Sequence, residues 1–294
     1  MTLNRVDAAD ATCRCACGCA VRVPRYPADL TGEQRAVLEP LLPVMLCLTP
    51  LGGRPEKHHR RTMIDAIFYL ADNGIKWRAL PADFPPWKTV CGLHARWKKD
   101  GVLAGITGLL RAAVRTAAGR DAEPSAAIID SQSVRESAEG VVPAVTSGYD
   151  GSKNVNGRKR HILTDTLGLL ITVAATAANV PDRHGAAIVL RRARRRGRHR
   201  LALAWGDRGY EGEDWTRRAR HEPGITIEVV YRDPAASTTF TVLPRRRVIE
   251  RTHAWISRRR RCARDYERLP AHHEAMVHRA AILQMTRRLA RNPR

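Results

Sequence analysis

Negative charge is scarce in this sequence. Its 29 Asp and Glu stand against 51 Lys and Arg, for a formal net charge of +22 and a pI near 10.8. So strong an imbalance disfavours a cationic partner and points to a polyanion, nucleic acid ahead of a membrane surface. Long apolar runs are missing as well. None reaches the roughly 18 residues that a membrane-spanning helix needs, and the first residues lack the charged-then-apolar order of a signal peptide. A cytoplasmic protein is expected. Seven cysteines, an odd number, do not make a disulfide framework. Four of them alternate as Cys13, Cys15, Cys17 and Cys19, which is not the paired spacing of a zinc site. Residues 1–25 show no periodicity and read as a disordered tail.

With 294 residues the chain can bury a large core, and two domains are expected. Two stretches organise it. In Ala126-Ala127-Ile128-Ile129-Asp130 an apolar, β-branched run leads straight into a carboxylate. Such a run reads as a strand buried on both faces. The acid at its end cannot be core, because an unpaired buried charge costs several kcal/mol. Leu201-Ala202-Leu203-Ala204-Trp205-Gly206-Asp207 repeats the design. Two buried strands that each deliver an aspartate to a sheet edge, in so basic a chain, suggest a metal site acting on phosphates.

Ahead of these strands the pattern is helical. Thr31 and Gln34 form a capping box, and Pro43 ends the helix that it opens. Residues 60–73 put Met63, Ile64, Ile67, Phe68, Leu70 and Ala71 on one face before Gly74. Pro85-Pro86-Trp87 opens another helix with Val90, Leu93, His94 and Trp97 on one side and Arg96, Lys98 and Lys99 beside that stripe. Three helices ending in a basic, aromatic one fit a helix-turn-helix-like unit that places its last helix in the DNA major groove. A plain bundle with its tryptophans in the core fits the same pattern. A further helix over 102–118 carries the chain to a boundary near residue 120.

After the Asp130 strand, residues 147–160 form a loop rich in Gly, Ser and Lys that includes Lys153 and Lys159, both read as phosphate contacts. Residues 161–165 and 169–174 form a hairpin, 183–195 a helix, 212–220 another, and 225–230 a last strand. That order is an α/β mixed sheet of the ribonuclease H-like type. From Val248 to Tyr266 one apolar arc runs along a helix, with Glu250 opposite it beside Ser257 and Arg261. The basic run there, including Arg258 and Arg261, reads as a DNA contact. His253, His272 and His273 read as surface or packing residues. A final helix covers 271–290.

Several phrases now come together. They are Tyr-Pro-x-Asp-Leu-Thr at 26–31, Trp-Arg-Ala-Leu-Pro at 77–81, Ile-Ile-Asp-Ser-Gln-Ser-Val at 128–134, Gly-Tyr-Asp-Gly-x-Lys at 148–153, Ile-Glu-Arg-Thr-x-Ala-Trp at 249–255 and Asp-Tyr-Glu-Arg-Leu-Pro at 265–270. In these the chain resembles the DDE transposases of bacterial insertion sequences, family five, over roughly residues 25–290. The resemblance implies Asp130, Asp207 and Glu250 as catalytic acids and ligands of two Mg²⁺ or Mn²⁺ ions. Arg246 matches the arginine that the family carries four residues before the glutamate. Ser257, with Arg258 next to it, stands where the family has a lysine, and Arg208 where it has a small residue. The implied partners are the element's terminal inverted repeats and target DNA, and the implied state is a dimer or higher oligomer on DNA, associated with the nucleoid. Residues 26–120 then bind DNA and 121–294 cut it. Three activities remain open: cleavage and joining of the element's ends, binding alone by a degenerate copy, and structure-directed cleavage by a nuclease of the same fold.

Overall fold

A computed structural model describes residues 22–44, 49, 50, 52, 56–138, 142–195, 200–231 and 244–291, the side chains of 244–246 excepted. Most of the tail expected over 1–25, with the alternating cysteines, lies outside the described residues.

The helical part begins at the capping box. Thr31 Oγ1 accepts the Gln34 amide at 3.3 Å, and the Gln34 side chain accepts the Thr31 amide in return. This opens α1 (Gly32–Leu38), which a 3₁₀ turn prolongs to Leu41. α2 (Arg60–Asn73) buries the six apolar residues expected of it and stops at Gly74, whose φ of 69° is left-handed. α3 (Trp87–Lys99) turns Val90, Leu93, His94 and Trp97 inward, and α4 (Val102–Ala117) follows.

The sheet is built from β1 (Ala126–Arg135), β2 (Gly148–Asp150), β3 (Val155–Asp165), β4 (Leu170–Ala177), β5 (Leu203–Gly206) and β6 (Thr226–Val229). Its order is β2-β3-β1-β5-β6, with β4 also paired to β3. β3 runs antiparallel to β1, β2 and β4, whereas β1, β5 and β6 are parallel. The segment 147–160, expected as a loop, is therefore largely strand. Its polar residues can enter the ladder because Arg158 and Arg160 find hydrogen-bond partners inside the protein.

Strand alternation sends β1 to two cores. Ile129 packs with Leu163, Ile171 and the helices α5 (Asp182–Arg195) and α6 (Glu213–His221). Ile128 faces the other way, onto α7 (Pro244–Ser257) and α9 (Pro270–Ala290). That second core also contains Leu30, Phe68, Trp97 and Leu110, so the N-terminal helices and the sheet share one interior. α4 packs along α9 and β4, and Arg115 crosses residue 120 to pair with Asp165 at 2.7 Å. The division near 120 is one of sequence, not of core.

The arc expected as a single helix from Val248 to Tyr266 is interrupted. α7 ends at Ser257 and a short α8 (Arg260–Ala263) follows. Extrapolating 100° per residue therefore fails beyond Ser257, with consequences for Arg261.

Candidate active site

β1 and β5 lie side by side with Ala126, Ala127 and Ile128 opposite Leu203, Ala204 and Trp205. Continued two residues past the last of these pairs, the same register would bring Asp130 level with Asp207, which directly follows β5. β5 ends at Gly206 while β1 continues to Arg135, so the two acids occupy a step in the sheet. Asp207 is exposed and its Oδ1 accepts the Gly209 amide at 2.9 Å. The Asp130 side chain keeps 28% of its exposure.

Glu250, the acid expected third, lies on α7, and the docking of that helix is specific. Thr252 donates to the carbonyl of Gly168 at 2.8 Å, in the turn between β3 and β4. Gly168 has a φ of 80°, and a Cβ there would stand 2.8 Å from Thr252 Oγ1, so only glycine lets α7 approach this closely. Ile249, Thr252 and Ile256 then point inward. His253 Nε2 donates to Asp130 Oδ2 at 3.1 Å, and Glu250, three residues earlier on the same helix, is exposed. Other glutamates are otherwise engaged or placed. Glu228 accepts Trp205 Nε1 at 2.7 Å, and Glu213 opens α6. Among the described residues no three Asp, Glu, His or Cys side chains stand close enough to form a ready-made metal site. The donors at this corner are nonetheless carboxylate oxygens open to solvent, the kind that hard divalent cations take.

The opposite face of β1 is also polar. Ser131 Oγ donates to Asp182 Oδ1 at 2.7 Å, and Ser133 Oγ donates to Asp150. Lys159 Nζ lies between the two acids, 3.1 Å from Asp182 and 3.5 Å from Asp150, and donates to the Val180 carbonyl. Burial works to raise the Asp150 carboxyl, but the Ser133 hydroxyl and the ammoniums of Lys159 and Lys153 outweigh it and hold it below its ordinary value. Tyr210 lies beneath this corner. Burial first, and then the charges of Asp130, Asp182 and Asp207, raise its phenol well above the usual range, so it stays protonated. Burial also pushes the His161 imidazole down to about 4, although Asp182 and Asp130 oppose the shift.

The basic residues singled out in the sequence separate into two groups. Arg96 and Lys99 are exposed in the last turn of α3, with Lys98 half-buried between them, and Lys153 and Arg258 are also exposed. Lys159 and Arg261 are not surface contacts. Lys159 is committed to Asp182 and Asp150, while Arg261 is buried, donating to Glu267 Oε1 at 2.7 Å and to the Ile75 carbonyl at 2.6 Å. The break after Ser257 turns Arg261 inward. The Arg246 side chain lies outside the described residues. Ser257 accepts a hydrogen bond from the buried Arg160 at 3.0 Å, so a guanidinium reaches this position from the sheet. Arg208 is exposed, its guanidinium 5.7 Å from the Tyr231 ring centre.

Two residues of this corner escaped the sequence reading. His253 follows Glu250 by three residues, a spacing that puts both on one side of a helix and is the one signal available for it. Asp182 had none beyond the Val180-Pro181 that precedes its helix.

Residues 121–285 match the family model described as a transposase DDE domain, and residues 30–107 match that of a putative transposase of IS4/5 family. No curated protein and no solved structure matches the chain.

Proposed function

The chain belongs to the transposases with a DDE domain, and from that premise we propose that it binds the terminal inverted repeats of its insertion sequence, cuts phosphodiester bonds there and joins the freed 3′-OH ends to target DNA. It is a DNA transposase of the IS4/5 type and a metal-dependent enzyme. The observation that carries the finer reading is that Asp130 on β1 and Asp207 just past the end of β5 follow the same parallel register, with α7 tied to Asp130 through His253.

Asp130, Asp207 and Glu250 would hold two Mg²⁺ or Mn²⁺ ions. Such cations, when bound, neutralise the charge of the phosphate in the transition state and make water, and later a 3′-OH, nucleophilic. The chain's own contribution is geometric. The β1–β5 register sets the spacing of the first two acids. The Thr252–Gly168 hydrogen bond seats α7, and His253 orients the Asp130 carboxylate by occupying one of its oxygens. His161, neutral across the working range, is no proton donor.

Residues 26–120 would supply DNA recognition in the manner of a helix-turn-helix, with Arg96, Lys98 and Lys99 at the end of α3 on phosphates or base edges. Lys153, Arg246 and Arg258 would hold the backbone near the acids. A dimer or higher oligomer would bring two ends together. Among the described residues no helix is long and apolar enough to cross a membrane.

The test is nicking of a labelled terminal-repeat duplex by the full chain in Mg²⁺ or Mn²⁺. Asp130→Asn, Asp207→Asn and Glu250→Gln should each cost several orders of magnitude in nicking while binding persists, and combining them should add little, because the three act as a unit. Near-normal nicking by Glu250→Gln would move the third acid elsewhere. A parent protein that binds without nicking is a degenerate, binding-only copy, for which the substitutions at Ser257 and Arg208 would be the place to look. Nicking without joining to a second duplex would indicate a nuclease.

A further inference from the structure

Asp182 opens α5 at the same corner as Asp130 and Asp207, and the reaction described above gives it no task. Its two oxygens are used unequally. Oδ1 accepts from Ser131 Oγ at 2.7 Å and faces Lys159 Nζ at 3.1 Å. Oδ2 makes no hydrogen bond or ion pair among the described residues. It lies instead towards Asp207. A Cβ on Gly209 would stand 3.4 Å from Asp182 Oδ2 and 3.0 Å from Asp207 Oδ1, so both carboxylates crowd the same glycine. Like charges so placed repel unless a cation lies between them.

A second observation comes from below. Tyr210 is 1% exposed, and its hydroxyl, with Asp130, Asp182 and Asp207 around it, makes no well-aligned hydrogen bond among the described residues, Ser131 being the side chain within reach. A buried donor left without an acceptor costs about 1–3 kcal/mol. An oxygen carried in by a cation, whether water or phosphate, supplies such an acceptor.

We infer that Asp182 is a fourth acid of the metal site and holds, together with Asp207, one divalent cation, an assignment that rests on the catalytic reading given above. Ser131 and Lys159 fix the first oxygen of Asp182 and leave the second aimed at the ion. Ser131 adjoins Asp130 in sequence, so one stretch of β1 supplies an acid from one face and the anchor of another acid from the opposite face.

The experiment reads Mn²⁺ binding to the full chain, without DNA, by titration calorimetry, with the melting temperature of each variant measured alongside. Asp182→Asn keeps an acceptor for Ser131 and removes only the charge. It should weaken Mn²⁺ binding by about 10-fold or more, within the 10–100-fold typical of groups that support a metal site, with melting little changed. Parent-like Mn²⁺ affinity in Asp182→Asn, beside a weakened Asp207→Asn, would remove the fourth acid and leave the catalytic reading intact. Parent-like affinity in Asp207→Asn would overturn that reading itself. Should Asp182→Asn fail to fold, Asp182→Glu retains the charge and the Lys159 pair but displaces the carboxylate by one methylene. Weakened binding by that variant supports the assignment, and unchanged binding overturns it.

Discussion

Two regions of this protein are rich in arginine and use it in opposite ways. Behind α7 and α9, the guanidiniums of Arg158, Arg160 and Arg261 are buried. At the end of α3 and after α7, Arg96, Lys99 and Arg258 face water. Arg158 is the clearest interior case. It donates to Asp265 Oδ2 at 2.9 Å, to the carbonyls of Glu267 and Arg268 at 2.7 and 2.8 Å, and to the carbonyl and hydroxyl of Thr146 at 3.2 and 2.7 Å. Together these hydrogen bonds use every N–H group of a guanidinium. Arg115 and Arg261 likewise take Asp165 and Glu267 inside with them. Interior pairs of this kind cancel in charge. The surplus of +22 is left to the rest of the chain, where a polyanion can meet it. Charge counted along a sequence does not separate the two uses; partners do.

The largest effect expected from breaking this comparison lies in the interior. Arg158→Leu should destabilise the fold by about 3–5 kcal/mol, because it leaves buried Asp265 with His273, at 3.2 Å, as its one remaining basic partner among the described residues. Unfolding in urea measures this, and a drop in stability below about 1 kcal/mol, the ordinary scale of a single substitution, would mean that His273 alone suffices for Asp265. Removing Asp265 at the same time should recover part of the stability.

A buried basic group without a carboxylate partner behaves differently, and His161 tests that. It sits against Gly185 with only Thr176 Oγ1 on its Nε2, at 2.9 Å, and burial holds its folded pKa at about 4, against an unfolded value near 6.5. Between those values the unfolded chain binds a proton that the folded chain refuses. Stability from this group is thus fully present above about pH 6.5 and is lost as pH falls towards 4. At 1.36 kcal/mol per pKa unit the decrease is at most about 3 kcal/mol. The stability of His161→Gln should fall less steeply than that of the parent over this window. Parallel pH curves would show that His161 is protonated in the fold.

The smallest effect on stability is expected at the surface. Arg96→Gln with Lys99→Gln should leave unfolding within about 0.5 kcal/mol of the parent. For every phosphate that these side chains neutralise in the parent, the slope of log affinity against log salt should become shallower by about one unit. Arg261→Gln should do the reverse, lowering stability with the slope intact. A slope unchanged by the α3 double variant would assign DNA binding to another face.

What could be read from sequence was local. The capping box at Thr31, the stop at Gly74, the inward stripe of α3 and the acid just after β5 all follow from side-chain periodicity and backbone chemistry within a few residues. β1, by contrast, runs on past Asp130 to Arg135 because β3 pairs with it that far. Glu250 was legible as an acid opposite an apolar arc, since that arc holds as far as Ser257. Tertiary structure decided everything that depends on partners distant in the chain. Lys159 and Arg261 look like DNA-binding residues in sequence, yet each is drawn inside by an acid that only folding brings near. The strand at 155–160 looks like a polar loop, because several of the groups that satisfy Arg158 and Arg160 lie about a hundred residues further along at 257–268. His253 and Asp182 reach the Asp130–Asp207 corner through the seating of α7 on Gly168 and the start of α5 beside Gly209. Periodicity tells a residue which way to face. Only packing determines what it finds there.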